Sequence, residues 1–465
     1  MTPSAEERAE DAIVRTEQPE ESAFDRWARM AKDTSIVDPA LYAEYDVKRG
    51  LRDLNGKGIL ADLTRIGDVV GTTLEGDHLV PAPGELLYRG IEIKELVDGF
   101  TAEGRLGFEE TTYLLLFGKL PDAQELKLFE ERLAMQRVLP QHFVHDAILR
   151  LPSPDIMNAI SRGVLAMYVL DGNPDETSVR NLLWQSLQLI ACLPVLAVYA
   201  YQAHVHHFHN QSLVIHPPLS DLSAAENILH MLRPDSQYTP LEAKLLDMTL
   251  VLQAEHGGGN NSTFTTHVVS STLTDTYSAI AASLGSLKGP RHGGANLKVV
   301  QMFEDLKANL DDWGDADEIE RYFLRVLDKK AFDGSGLVYG MGHPVYSISD
   351  PRTSILRYYA EKLAVEKGRE DEFRLHARVE RIAADAINHS RRMYKGVSAN
   401  VDFYSGFVYS MLDIPAELFT PLFAVSRIVG WSAHRIEQIA NGGKIIRPAY
   451  KSVSPRSDYV PLSER

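Results

Sequence analysis

The chain has 465 residues, 44% of them apolar and 24% charged, which is enough for a large core. Lysine and arginine total 48 against 64 aspartates and glutamates; the formal charge of −16 repels a phosphodiester backbone and argues against a nucleic-acid partner. Cys192 is the only cysteine, which excludes an intramolecular disulfide and a thiolate metal cluster. Residues 1–22 are polar and rich in glutamate, and are expected to form a mobile arm. They show neither a basic start nor an apolar stretch of the secretory kind, so the expected location is the cytoplasm. A helical stretch is expected around Phe24 to Met30. From Gly56 to Ile93, short β-prone runs split by glycine and proline predict a small antiparallel β element. Everything after it reads helical, so the expected fold class is mainly α.

The run from Leu187 to Tyr201 is interrupted by Gln188 and Pro194 and falls short of the roughly 20 apolar residues a bilayer span needs. It reads as a core or subunit-interface helix, and no membrane association is expected. Thr239-Pro240-Leu241-Glu242 signs a helix start, with an N-cap, a proline at the first helical position and a capping-box glutamate. Leu241, Leu245, Met248 and Leu252 then recur on one helical face. Thr263 to Ser286, rich in serine, threonine and alanine, predicts a long helix in close contact with another, a dimer interface being one place for that contact. Asp350-Pro351 opens a further helix.

Four segments set a chemically capable residue among glycines or prolines. Glu255-His256-Gly257-Gly258-Gly259 breaks a helix running into His256, either as a plain C-cap turn or as a ligand-facing turn. It lacks the Gly-Lys-Ser/Thr of a phosphate loop. His292 stands between two glycine breaks, where a histidine can reach a ligand or serve structure alone. Gly334 to Gly342 holds four further glycines and runs into His343, and Arg352 follows two residues into the next helix. No β-run precedes that loop, so a dinucleotide fingerprint is rejected. Phe403, Phe407 and Met411 place Asp402 at or just before a helix start, where it is an N-cap or a catalytic carboxylate. Arg427 interrupts an apolar helix, an expensive position unless an anion or carboxylate pairs with it. Arg447 lies near the C-terminus.

In this order, His256 to Arg447 resembles the citrate synthase family, and the match extends back to about Gly56. The resemblance implies a large helical domain (23–291 and 409–465) and a smaller mobile one (292–408) that closes over the active site. It implies condensation of acetyl-CoA with oxaloacetate in the tricarboxylic acid cycle, by a homodimer or higher homo-oligomer. His292 resembles the histidine that stabilises the enol, His343 the one that polarises the oxaloacetate carbonyl, and Asp402 the base that takes the methyl proton. His256, Arg352, Arg427 and Arg447 resemble the oxaloacetate-binding set, the last supplied across the subunit interface. Val338, Gly340 and Gly342 resemble the CoA-cradling loop, and Lys395 a lysine on a CoA phosphate. The resemblance implies no metal and no cofactor besides the acyl-CoA substrate.

Pro344 departs from the arginine frequent after that histidine, and Tyr346 to Arg352 with Lys444 to Pro448 look somewhat like 2-methylcitrate synthases, which take propionyl-CoA. A rival of another class is a metal-dependent hydrolase built on His204, His206, His207 and His209, a group that reads equally as a polar surface loop.

Overall fold

A computed structural model of the protein describes residues 23–53, 58–75, 78–391 and 396–465. The expected arm, 1–22, and Lys395 lie outside the described residues. The chain divides into two compact units, one within residues 1–63 and 447–465, the other spanning Thr64–Ile446. In the first, Asp38 caps the short helix Pro39–Glu44 by accepting the Ala40 N–H. The helix Ala23–Ser35 buries none of its residues, and Phe24, Trp27 and Met30 stand exposed along it.

The second unit is helical apart from a three-stranded antiparallel sheet where the glycine- and proline-punctuated stretch predicts one. Strands β1 (Gly67–Glu75) and β2 (His78–Tyr88) pair with Gly67 opposite Tyr88, and β3 (Ile91–Glu92) adds to β2. Glu92 then turns the chain into the helix Ile93–Ala102, its carboxylate accepting the N–H groups of Lys94 and Glu95. Strand β2 also holds a loop distant in sequence, the one around Tyr346 and Ser349. Gly84 N–H donates to the Ser349 carbonyl at 3.1 Å, and the Tyr346 hydroxyl donates to the Glu85 carbonyl at 3.1 Å.

The centre of the unit is the helix Val179–His209, started by Ser178 and ended by a left-handed Asn210. Its run from Leu189 to Ala200 is buried on every side, the pattern of a helix enclosed in a core. It is long and apolar enough to cross a bilayer, but it packs instead among the helices Ile156–Met167, Ala224–Leu232 and Phe419–Ala440.

The long helix expected from Thr263 to Ser286 is two helices, Asn261–Ser270 and Thr276–Lys288, lying against each other. Leu273 takes a positive φ of 63° at the break, and Asp275 restarts the chain by accepting the Ser278 N–H. The small residues do signal close contact, but it forms between the two halves. Buried Thr266 and Ser283 hydroxyls meet across it at 2.7 Å.

Candidate active site

The capping box at Thr239 starts the helix Pro240–Gln253 as expected, but the helix stops three residues short of His256. Glu255 and His256 therefore sit on irregular backbone that Gly257 reverses with a φ of +82°. Both side chains are buried. Glu255 Oε1 lies 3.0 Å from His434 Nε2 on the helix Phe419–Ala440. That helix can press on the turn because residue 430 is glycine. A Cβ there would fall 2.4 Å from Glu255 Oε2 and 2.6 Å from the Ala254 carbonyl. The close approach also brings Arg427, one turn earlier, under the same turn.

Arg427 is fully buried. Its Nε donates to the Gln253 carbonyl at 2.7 Å and its guanidinium lies 4.8 Å from the Phe423 ring centre, yet Nη1 has no hydrogen-bond partner among the described residues. Burial pulls its pKa down to about 10, with Glu255 pulling the other way. A desolvated guanidinium with an unused donor is a ready anion site. Its charge reaches three of the residues singled out by sequence: it lowers the pKa of His256, of His292 and of Asp402.

His343 stands against His256, ring centres 5.0 Å apart, and stacks on Tyr346 at 4.6 Å. The N–H groups of Val345 and Tyr346 both donate to His343 Nδ1 at 3.1 Å. Nδ1 must therefore carry the lone pair, and a neutral His343 keeps its proton on Nε2. His256 Nε2 is buried without a hydrogen-bond partner among the described residues. Burial, then Arg352, His343 and Arg427, hold its pKa well below the ordinary range, so it is neutral. Arg352 is buried and tied to Asp350 by two bonds, Nε–Oδ1 at 3.0 Å and Nη2–Oδ2 at 2.7 Å.

Asp402 is the second residue of the helix Val401–Met411, and the cap is Asn400, whose Oδ1 accepts the Asp402 N–H at 3.0 Å. The N-cap reading of Asp402 thus fails by two positions: the carboxylate is not used to end the helix. The residue is half-buried, but its Oδ1 is shut off from solvent and has no hydrogen-bond partner among the described residues. Burial raises its pKa to about 6 against the pull of Arg352 and Arg427. Asn400 also donates from Nδ2 to the Gly342 carbonyl at 2.9 Å and from its backbone to the Gly340 carbonyl at 2.9 Å. Gly340 has a φ of +79°, and a Cβ on it would lie 2.9 Å from Val299 and 3.0 Å from Phe403. The loop of Val338, Gly340 and Gly342 is therefore pressed against the start of the Asp402 helix, with Val338 buried.

His292 sits in the turn after Thr276–Lys288, its Nε2 3.0 Å from the Ser262 hydroxyl. Trp431 Nε1 donates to that same oxygen at 3.1 Å, and Asn260 Oδ1 lies 2.9 Å from it. Burial, then Arg427, lowers the His292 pKa to about 4, leaving it neutral at physiological pH.

The structure thus gathers His256, His343, Arg352, Asp402, Arg427 and His292 through shared contacts and fields. Arg447 is exposed and belongs to the other unit. The histidine cluster is not a loop: it occupies the last turns of the Val179–His209 helix, with His204 buried. Sequence reasoning missed Ser262, Tyr346, Asn400 and Gln253. Asn400 alone carried a signal, since asparagine just before an apolar helical face is a favoured cap.

A model of the citrate synthase C-terminal domain matches residues 54–449. A citrate synthase from Synechocystis sp. is 34% identical over 413 residues, covering 88% of this chain and 92% of that protein. A 2-methylcitrate synthase from Shewanella oneidensis is 33% identical, covering 82% and 92%. Among solved structures, citrate synthase from Thermoplasma acidophilum in ternary complex with carboxymethyl coenzyme A and oxaloacetate superposes with a TM-score of 0.72 at 28% identity, covering 90% of this chain and 99% of that one.

Proposed function

Because the chain belongs to the citrate synthase family and is an enzyme of that acyl-transferring type, we propose that it condenses acetyl-CoA with oxaloacetate and hydrolyses the product thioester. The observation that carries this reading is the buried guanidinium of Arg427, with Nη1 unused among the described residues and a charge that acts on His256, His292 and Asp402 at once.

The groups suit the chemistry. A methyl beside a thioester is a weak acid, and it yields a proton only if the enolate oxygen is stabilised in the same step. Asp402 takes the proton. His292 donates a hydrogen bond to the thioester oxygen. The Ser262 hydroxyl has one hydrogen, for His292 Nε2 or for Asn260 Oδ1; given to Nε2, it leaves the His292 proton on Nδ1 as the donor. The enol carbon then attacks the oxaloacetate carbonyl carbon. His343, with its proton on Nε2, hydrogen-bonds the developing alkoxide, which takes up the proton that Asp402 removed from the methyl, so that His343 stays neutral and Asp402 is again a carboxylate. Water cleaves the citryl thioester, releasing citrate and the CoA thiol. The substrate carboxylates meet His256, Arg427 and the Nη1 edge of Arg352, whose other edge Asp350 occupies. Val338, Gly340 and Gly342, with Lys395, hold CoA. No step calls for a metal or a further cofactor, and the same reading places the enzyme in the tricarboxylic acid cycle and the cytoplasm.

A homodimer or larger homo-oligomer in which a second copy contributes Arg447 is part of this proposal. Its support is the exposed apolar face of Phe24, Trp27 and Met30 together with exposed Tyr450, Tyr459 and Leu462, surface that a second copy would cover. The domain closure of 292–408 is supported by the division of the site along the chain: His343, Arg352 and Asp402 lie within that segment, His256 and Arg427 outside it. Oxaloacetate, bridging both sides, then favours the closed form. Acyl-CoA is expected to bind more tightly in the presence of oxaloacetate, read by calorimetry with a non-reactive thioether analogue. Equal affinity in both conditions counts against closure.

The second reading, 2-methylcitrate synthase, rests on the relative from Shewanella oneidensis, nearly as similar as the citrate synthases. One methylene separates the two substrates, about 1–3 kcal/mol of discrimination. Thiol release with oxaloacetate, compared for acetyl-CoA and propionyl-CoA, decides: kcat/KM is expected to favour acetyl-CoA. A preference for propionyl-CoA selects the second reading, and no thiol release from either donor defeats both.

A further inference from the structure

The end of the Val179–His209 helix holds a group that the condensation does not use. His204 and His209 meet Glu417, from the short 3-10 turn Ala416–Leu418, and one ligating atom of each lies within 4.8 Å of the other two. We propose that these three side chains bind a divalent transition-metal ion of the zinc type, tying the end of the central core helix to that turn.

His204 is the anchor. It is buried, and its Nδ1 lies 3.0 Å from the Ser153 carbonyl. A carbonyl oxygen can only accept, so Nδ1 carries the proton and Nε2 carries the lone pair. An imidazole fixed in this way, through a bond from its other nitrogen to a backbone carbonyl, is the arrangement that metal-binding histidines adopt. The rings of Tyr201 and Phe208, 6.4 Å and 5.2 Å from His204, hold its orientation further. His209 and Glu417 are exposed, so both can swing the short distance needed to reach metal–ligand bonds of roughly 2.0–2.2 Å. Their backbones are nonetheless held: His209 belongs to the helix, and buried Leu418 fixes the turn beside Glu417. Two imidazoles with one carboxylate select zinc, copper, nickel or cobalt over calcium and magnesium, which prefer all-oxygen sets. The carbonyls at a helix C-terminus add a field favourable to a cation. Spacing along the chain hides the set, because Glu417 stands 208 positions beyond His209.

The site is independent of the catalytic reading, since none of its ligands belongs to the catalytic group. The test uses the full-length protein, stripped with a chelator and titrated with zinc chloride by calorimetry, with thermal unfolding followed in parallel. The wild type is expected to take up one zinc per chain at this site and to unfold at a higher temperature when loaded. His209→Ala and Glu417→Gln change exposed side chains and should fold; each is expected to weaken that binding at least tenfold and to remove the thermal gain. His207→Ala, which changes an exposed neighbour outside the set, should leave both unchanged. Zinc binding and thermal gain that persist in His209→Ala and Glu417→Gln, or that fall equally in His207→Ala, overturn the proposal. So does a wild type that binds no zinc.

Discussion

Replacing Asp402 with asparagine is expected to lower kcat by about 10²–10⁴, the usual contribution of a positioned general base, and to make the protein more stable above pH 6. The second effect comes from burial. Asp402 is half-buried, with Oδ1 shut off from solvent and without a hydrogen-bond partner among the described residues, and this desolvation raises the carboxyl pKa from the ordinary 3.8 to about 6. A carboxyl whose pKa is higher folded than unfolded holds its proton more tightly in the fold. Stability therefore declines as pH climbs from about 4 to about 6, and the full cost is present above that window. A shift of this size is worth on the order of 3 kcal/mol. Asparagine keeps the shape and drops the charge, so the variant should unfold at a higher temperature than wild type at pH 8 and gain nothing at pH 4. For the wild type, kcat/KM should fall tenfold per pH unit below about 6, as the base becomes protonated. His256 stays neutral through that range, and His292 adds a second break only near pH 4. A variant that keeps wild-type turnover removes Asp402 from the mechanism. One that loses turnover without gaining stability at pH 8 shows that the carboxylate is better solvated than its burial indicates.

His292→Ala carries the next largest expected effect, a fall in kcat of about 10²–10³, as for loss of one preorganised donor to an oxyanion. Oxaloacetate affinity should be unchanged, because His292 is assigned to the thioester. Ser262→Ala is the companion variant. It leaves the imidazole in place and removes the hydroxyl 3.0 Å from Nε2. If that hydroxyl sets which nitrogen carries the proton, kcat should fall by about 5–10-fold, the worth of one hydrogen bond, with oxaloacetate KM steady. Single-turnover rates with acetyl-CoA separate chemistry from product release in both variants. Turnover within a few-fold of wild type in His292→Ala would falsify the enol-stabilising role.

Much of this arrangement is legible from residue order alone, because His256, His292, His343 and Arg352 sit where glycine or proline interrupts or opens a helix. Such breaks are visible in sequence, and they are where side chains can meet without being consumed by a helical face. The buried arginine in an apolar helix is legible for the same kind of reason: its burial demands an anion. The supporting layer is not. Ser262 and Asn260 look like ordinary helix-start residues, and only the fold brings Trp431 to the same hydroxyl. The break at Leu273 has no glycine or proline to announce it; the capping carboxylate of Asp275 fixes it, and Asp at that place reads equally as a helix residue. Residue pattern carries the Pro240–Gln253 helix three residues too far because no breaker precedes Gly257, whereas Glu255 leaves the helix to meet His434, a partner 179 positions away.

The side chain of Asn400 grips two pieces of chain at once, the backbone carbonyl just ahead of His343 and the backbone amide of Asp402. The group that would act on the ketone and the group that would act on the methyl are thereby mounted on one bracket. Whatever swing or shear the surrounding helices undergo, these two tools keep their spacing, so alignment of the reacting carbons is set locally and need not be rebuilt at each turnover.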